Sequence, residues 1–138
     1  MKCTIESIRN IELKDKRFGS RLEAFAPFET EFIFDIIKDW IKEYAGVHAV
    51  IYDDGIRITA WAEAKCSERD TYNPITGAHI AESKAKAKMY RFLRNFSELM
   101  ANSYASISDY MQDAYLKYDH CVDHEEEHAE YLSNATGE

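Results

Sequence analysis

The sequence predicts a single α+β domain, in which a small antiparallel sheet packs with one helix from the N-terminal half and two long antiparallel C-terminal helices. Three observations support this: helical spacing of apolar residues from residue 32, an Asp-Gly pair between two strand-like segments, and long helical spacing after residue 78. The 138 residues are 46% apolar and 13% aromatic, which suffices for one continuous core. We therefore expect residues 1–138 to form one domain, with an acidic helix end over about 119–138.

The N-terminal half contains one weak and one strong pattern. Apolar residues between Cys3 and Lys14 alternate irregularly, which predicts one or two short strands with a kink. Apolar residues from Phe32 to Tyr44 follow the three-four spacing of an amphipathic helix, with Thr30 as the N-cap and Gly46 as the stop.

A β-hairpin is predicted next, from Val47–Tyr52 and 56–66, because Asp54-Gly55 between them favours a tight turn. The second strand alternates cleanly. Its core-facing set is Ile56, Ile58, Ala60, Ala62, Ala64 and Cys66. Its other set, expected to be exposed or to contact a partner or ligand, is Arg57, Thr59, Trp61, Glu63 and Lys65.

The C-terminal half predicts two helices, from about Ala78 to Met100 and from about Ser106 to Tyr131, after a polar connection with an Asn-Pro turn. The second helix carries a tyrosine-rich apolar stripe: Ile107, Tyr110, Met111, Ala114, Tyr115, Tyr118 and Val122. Two long helices joined by a short link are expected to lie as an antiparallel pair on the sheet.

The net charge of -8 comes from one segment. Residues 109–138 hold nine of the 25 acidic residues and one of the 17 lysines and arginines, which leaves 16 of each sign elsewhere. No stretch approaches the ~20 apolar residues of a membrane span, and no signal peptide is indicated. The three cysteines are far apart and lack a C-x-x-C pair. These features predict a cytoplasmic protein with reduced thiols and no membrane contact.

The string from His124 to His128 matches the H-E-x-x-H pattern of zinc proteases. A catalytic zinc needs a third ligand and a dry site, whereas this string lies in a hydrophilic segment near the chain end. With His120 it forms a stripe that could take up a metal adventitiously, but a polar helix face is the preferred interpretation. No nucleophile motif or Gly-rich phosphate loop occurs. We therefore expect no enzyme activity, no cofactor and no resident metal.

A basic stripe interrupts the otherwise neutral body. Lys84, Lys88, Arg91 and Arg94 fall near one face of the first long helix, where guanidinium groups could hold phosphates. The alternative is that they pair with the acidic helix.

Arg57 and Trp61 share one strand face, which suggests base stacking beside phosphate contacts. The alternative is a partly buried tryptophan with an arginine extended along it. Phosphate contacts are predicted for Arg57, Lys88, Arg91 and Arg94, and stacking for Trp61 or Tyr90. The complete set of candidate ligand-binding residues is Arg57, Trp61, Lys84, Lys88, Tyr90, Arg91 and Arg94.

One pattern resembles small bacteriophage proteins. It comprises Asp54-Gly55, Ala64-Lys65-Cys66, Asp70-x-Tyr72-Asn73 and Gly77-x-x-Ile80-Ala81, over about 30 residues. It is similar to the pattern in phage-encoded Thoeris anti-defence proteins, oligomeric sponges that sequester cyclic nucleotide signals with a small sheet and two long helices. The resemblance implies a non-enzymatic protein that captures a cyclic nucleotide or related anionic small molecule in the host cell.

A second hypothesis is an inhibitor, of the anti-CRISPR or DNA-mimic kind, that binds a host nuclease directly. Its acidic helix would present carboxylates to a basic groove. Those carboxylates are Asp109, Asp113, Asp119, Asp123, Glu126, Glu127 and Glu130. Deletion of residues 119–138 is expected to separate the two hypotheses.

The last expectation is a homo-oligomer built mainly through residues 89–118, with any ligand site near a subunit boundary, because tyrosine and methionine favour interfaces. The alternative is a monomer with tyrosines flat over its own core. The residues concerned are Tyr104, Tyr110, Met111, Tyr115, Tyr118 and Tyr131.

Overall fold

The computed structural model describes residues 2–28, 34–66, 73–103 and 108–135. It confirms the α+β class. The elements in chain order are β1 (Thr4–Leu13), β2 (Arg17–Pro27), α1 (Phe34–Glu43), β3 (Val47–Tyr52), β4 (Gly55–Lys65), α2 (Pro74–Ser103) and α3 (Ser108–Ala135). The four strands form one antiparallel sheet in the order β1-β2-β4-β3.

The N-terminal hairpin is longer than the sequence predicted, because β2 was not foreseen. Its strands join through a turn in which Asp15 and Lys16 have φ values of 63° and 58°. Only a few per cent of residues other than glycine adopt positive φ, so no turn signal marked this position. Strand β1 runs further than the short strands expected, and its register with β2 shifts between Ile5 and Ser7, within the stretch where a kink was expected.

The second hairpin has the predicted strands but a different turn. Tyr52 pairs with Gly55, so the turn residues are Asp53 and Asp54 and the predicted Asp54-Gly55 turn is wrong by one residue. Gly55 belongs to β4, where a Cβ would overlap the carbonyl oxygen of Ala26 on the neighbouring strand. The glycine therefore serves close backbone approach rather than turn formation.

The alternation predicted for β4 is confirmed. Ile56, Ile58, Ala60, Ala62 and Ala64 are buried, while the intervening residues are exposed or half-buried. The same face of β2 contributes to the core, which α1 and α2 cover. The core residues from β2, α1 and α2 include Phe18, Leu22, Ala24, Ala26, Ile37, Met89, Phe92, Leu93 and Phe96.

Helix α2 begins four residues before the predicted Ala78. The Asn73 side-chain oxygen accepts hydrogen bonds from the Ile75 and Thr76 amides at 3.1 and 3.2 Å, and Pro74 occupies the first turn. The predicted Asn-Pro turn is thus an N-cap. Gly46 has a φ of 103° in the connection between α1 and β3, three residues after the last residue of α1. Thr30 and Ile107 lie outside the described residues.

The two long helices are antiparallel, but only α2 lies directly on the sheet. Helix α3 packs along α2, with Arg94 paired to Asp119 at 3.1 Å and Ser83 Oγ 2.9 Å from His128 Nδ1. It reaches the strand layer with single side chains such as Tyr118, which joins the main core. The expectation that both helices lie on the sheet is therefore corrected: α2 is hydrophobic on two sides and separates α3 from the strands. No described helix packs on the outer face of the sheet, which carries Trp61.

Candidate functional site

The structure divides the seven candidate ligand-binding residues among three surfaces. Arg57 and Trp61 lie on the outer face of the sheet. Lys84, Lys88 and Arg91 line a groove of about 430 Å³ between β4, α2 and α3. The remaining two, Tyr90 and Arg94, contact α3. They do not form one site.

The two lysines of the groove are engaged by the sheet. Strand β3 pairs with β4 only as far as Ala60, so the following part of β4 has a free edge. On that edge the carbonyl of Trp61 accepts a hydrogen bond from Lys88 Nζ at 2.7 Å, and that of Glu63 accepts one from Lys84 Nζ at 3.5 Å. Helix α2 thus covers this free edge with two lysine side chains, which occupy its carbonyl groups.

The two helix arginines are engaged by α3. Arg91 forms an ion pair with Glu126, and Arg94 forms one with Asp119. Glu125 and Glu130 also line the groove. For the two arginines, the geometry thus favours the alternative interpretation of the basic stripe, in which it pairs with the acidic helix. Acidic side chains beside each base also lower the attraction of this groove for an anion.

Tyr90 serves packing between the long helices. Its ring stacks on that of Tyr118, with centroids 6.2 Å apart and an interplanar angle of 17°. Burial raises the pKa of Tyr118 to about 12 and that of Cys3 beside it to about 11. Tyr90 is thus engaged in a ring contact with α3, away from the outer face of the sheet that carries Trp61.

The histidine stripe also has a structural explanation. His128 Nδ1 lies 2.9 Å from Ser83 Oγ and 4.0 Å from Glu125, so the same ring nitrogen faces both groups. A catalytic relay needs opposite ring nitrogens, and Ser83 is only 3% exposed. Among the described residues, no group of three or more His, Cys, Asp or Glu side chains is placed to hold a metal ion.

The outer face of the sheet presents a row of residues that the sequence did not reveal. Arg9 of β1 lies directly opposite Arg21 of β2, and Arg21 lies directly opposite Trp61 of β4. Like charges in directly opposed positions destabilise a sheet, so this row is unfavourable for folding. Because β2 was not predicted, the expectation placed helix arginines beside Trp61; strand arginines lie there instead.

Trp61 is held in place by Gly19. A Cβ on Gly19 would overlap the six-membered ring of Trp61, so the indole lies over the glycine on the neighbouring strand. The indole remains 37% exposed. The absence of a side chain at residue 19 therefore creates a fixed aromatic surface that is open to solvent.

A second basic row lies on the other side of Gly19. Arg17 of β2 is directly opposite Lys65 of β4. Arg17 pairs with Glu63 at 3.8 Å, much as Arg21 pairs with Glu23 at 3.1 Å.

One base in each row remains available. Within the part of the chain that the structure describes, neither Arg9 nor Lys65 forms an ion pair. The aromatic surface is thus flanked on both sides by basic side chains.

Arg57 lies at the opposite end of the same face. Its guanidinium forms an ion pair with Glu6 and lies 5.9 Å from the ring centroids of both Phe25 and Tyr52. The hydrogen bond to Glu6 and the charge of Glu6 raise the pKa of Arg57. Trp61 is four residues further along β4, a distance of about 13 Å. Arg57 is therefore not a direct neighbour of the Trp61 surface.

Several residues that carry the phage-protein pattern have packing roles. Ala64, Ile80 and Ala81 form a small core cluster around Phe18, and a Cβ on Gly77 would meet the Phe18 ring. Asp70 and Tyr72 lie outside the described residues. Among the described residues of the pattern, Lys65 alone belongs to a basic row beside Trp61; the others lie at the β3–β4 hairpin or at the join between β4 and α2.

Comparison with protein families, curated proteins and solved structures gave no match to this chain. No described helix is long and apolar enough to cross a membrane.

Proposed function

We propose that this protein is a non-enzymatic binding protein that captures a phosphate-bearing nucleotide on the outer face of its sheet. The supporting observation is the exposed Trp61 indole, fixed over Gly19 between two basic rows. Stacking on an aromatic ring suits any nucleobase, and arginine guanidinium groups bind phosphate oxygens in pairs. Arg9 and Arg21 thus replace the helix arginines in the predicted role of phosphate contact.

The biological role is proposed from the resemblance over residues 54–81. Phage anti-defence sponges remove nucleotide signals from the host cytoplasm, and capture without chemistry would serve that purpose here.

Calorimetry with cyclic dinucleotides, cyclic trinucleotides and cyclic ADP-ribose isomers tests this proposal. Trp61→Ala is expected to weaken binding about 10- to 100-fold, because stacking contributes ~1–3 kcal/mol per base. Tyr131→Ala removes an aromatic ring that is 69% exposed on α3 and is the matched control, with unchanged affinity expected. If no ligand gives a binding signal with the unmodified protein, the proposal fails.

A second candidate function is the acidic inhibitor of a host nuclease. Asp113, Asp123, Glu127 and Glu130 are exposed on α3 and form no ion pair with another described residue, whereas Asp119 and Glu126 are paired with α2. Within the proposed mimic set, those four carboxylates are therefore the ones on which we base this candidate. The side chain of Asp109 lies outside the described residues.

Neutral substitutions separate the two functions better than deletion, because α3 also packs the core through Val122 and Ala129. The quadruple variant Asp113→Asn, Asp123→Asn, Glu127→Gln, Glu130→Gln is expected to retain nucleotide binding. Loss of anti-defence activity in cells with nucleotide binding intact would instead support the inhibitor.

We also propose that the protein is a homo-oligomer through residues 89–118. Leu116 supports this because it is 64% exposed on α3. Tyr118, in contrast, is buried in its own chain, as the monomer alternative expects. Tyr104 and the side chains of Tyr110 and Met111 lie outside the described residues. Light scattering coupled to size exclusion tests the proposal, and a mass near 16.0 kDa at micromolar concentration contradicts it.

A further inference from the structure

We infer that the Trp61 surface binds a nucleotide unit that carries phosphate on both its 5′ and its 3′ side, rather than a nucleotide with one terminal phosphate. This inference rests on the proposed function and specifies its ligand. It comes from the position of the two basic rows relative to the indole.

The two rows lie on opposite sides of the indole. Gly19, under the ring, is two residues from Arg17 in one direction along β2 and two residues from Arg21 in the other. At about 3.4 Å per residue, each arginine backbone is roughly 7 Å from the glycine. A base stacked on Trp61 therefore has one arginine on each side, and the flexible side chains can turn inward to meet a phosphate.

Each row has a second base on a neighbouring strand. Arg9 lies opposite Arg21, and Lys65 lies opposite Arg17, about 4.8 Å away across the sheet. Both rows therefore consist of two basic side chains.

The charges of the two rows are balanced in the same way. Glu23 partly neutralises the row of Arg9 and Arg21, and Glu63 partly neutralises the row of Arg17 and Lys65. Each row keeps one positive charge in excess. A ligand with a single phosphate would satisfy one row and leave the other without an anion. A nucleotide esterified on both sides satisfies both.

Two kinds of ligand carry phosphate on both sides of a nucleoside: a small bisphosphorylated nucleotide and an internal nucleotide of a single-stranded nucleic acid. Three probes separate them: adenosine 5′-monophosphate, adenosine 3′,5′-bisphosphate and a short oligoadenylate with a matching internal unit. We expect the bisphosphate to bind at least 10-fold more tightly than the monophosphate. Equal affinity for the bisphosphate and the oligonucleotide supports a small ligand, whereas tighter binding of the oligonucleotide supports a strand.

Two paired variants test the roles of the rows. Arg9→Gln with Arg21→Gln removes one row, and Arg17→Gln with Lys65→Gln removes the other. In each variant the affinity for the bisphosphate should fall at least 10-fold, to about the affinity that the unmodified protein has for the monophosphate, because only one row remains. The first variant leaves the Lys14–Lys16 turn intact. The second variant removes the hydrogen bond that Arg17 donates to the Lys14 carbonyl in this turn.

The outcomes distinguish this inference from the proposed function. If the unmodified protein binds the monophosphate and the bisphosphate equally, and Trp61→Ala weakens both, the inference is overturned and the proposed function stands. If none of the three probes nor any cyclic nucleotide binds, both fail. Lys42→Gln on α1 removes a positive charge away from the outer face and should leave all affinities unchanged.

Discussion

Replacing Phe92 with alanine should lower the free energy of unfolding by about 3–5 kcal/mol, the cost of a large cavity at a buried aromatic position. Phe92 is fully buried where α1 packs against α2. Its ring lies 5.1 Å from that of Trp40, 5.2 Å from that of Tyr44 and 6.3 Å from that of Phe96. The substitution therefore removes apolar contacts and aromatic pairing together.

The effect should be large relative to the whole stability of a domain of this size, which is commonly about 5–15 kcal/mol. Two of the three neighbouring rings belong to α1 or the residue that follows it, so docking of α1 should weaken as well.

Urea denaturation followed by circular dichroism measures this change. Phe34→Ala is the matched control, since Phe34 is on α1 but 47% exposed, and a change within about 0.5 kcal/mol is expected there. Similar unfolding midpoints for the Phe92 and Phe34 variants would contradict the packing described for α1 and α2.

The sequence predicted well the elements in which burial of one face makes apolar residues recur at a regular spacing. The alternation in β4 and the helical spacing around Trp40 each follow directly from one face meeting the core. The C-terminal helices were recognised for the same reason.

The elements that the sequence did not predict depend on contacts between distant residues. The β1–β2 turn uses Asp15 and Lys16 at positive φ, with no glycine to mark it. Gly55 was assigned to a turn, but it is a glycine because Ala26 approaches it across the sheet. Neither feature can be recognised before the strand order is known.

The candidate site shows the same division. The sequence placed Trp61 on an open face, which the structure supports, but the choice of basic residues beside it depended on which strand lies next to β4. With β2 in that position, Arg21 and Arg9 lie beside the tryptophan, and Lys88 contacts the opposite edge of its strand. The spacing of residues along the chain could not show whether strand or helix basic residues lie beside Trp61.

Replacing Gly19 with alanine is expected to weaken nucleotide binding about 10-fold or more, because the new Cβ would occupy the space of the Trp61 ring. The indole must move away from the sheet, and its stacking surface is no longer fixed between the basic rows. Loss of an ordered stacking contact costs ~1–3 kcal/mol. In a strand, alanine is otherwise more favourable than glycine by roughly 0.5–1 kcal/mol, so any loss of affinity or stability comes from the displaced ring.

Calorimetry gives the affinity, and tryptophan fluorescence reports the change in the surroundings of the indole. Trp61→Ala combined with Gly19→Ala completes the comparison: once the ring is absent, the alanine has nothing to displace, so the double variant should bind no more weakly than Trp61→Ala alone. An additional loss in the double variant would show that Gly19 acts independently of the ring. Unchanged affinity in the single Gly19 variant would mean that the position of Trp61 over the glycine is not needed for binding. The nucleobase would then have to stack on another part of the open face.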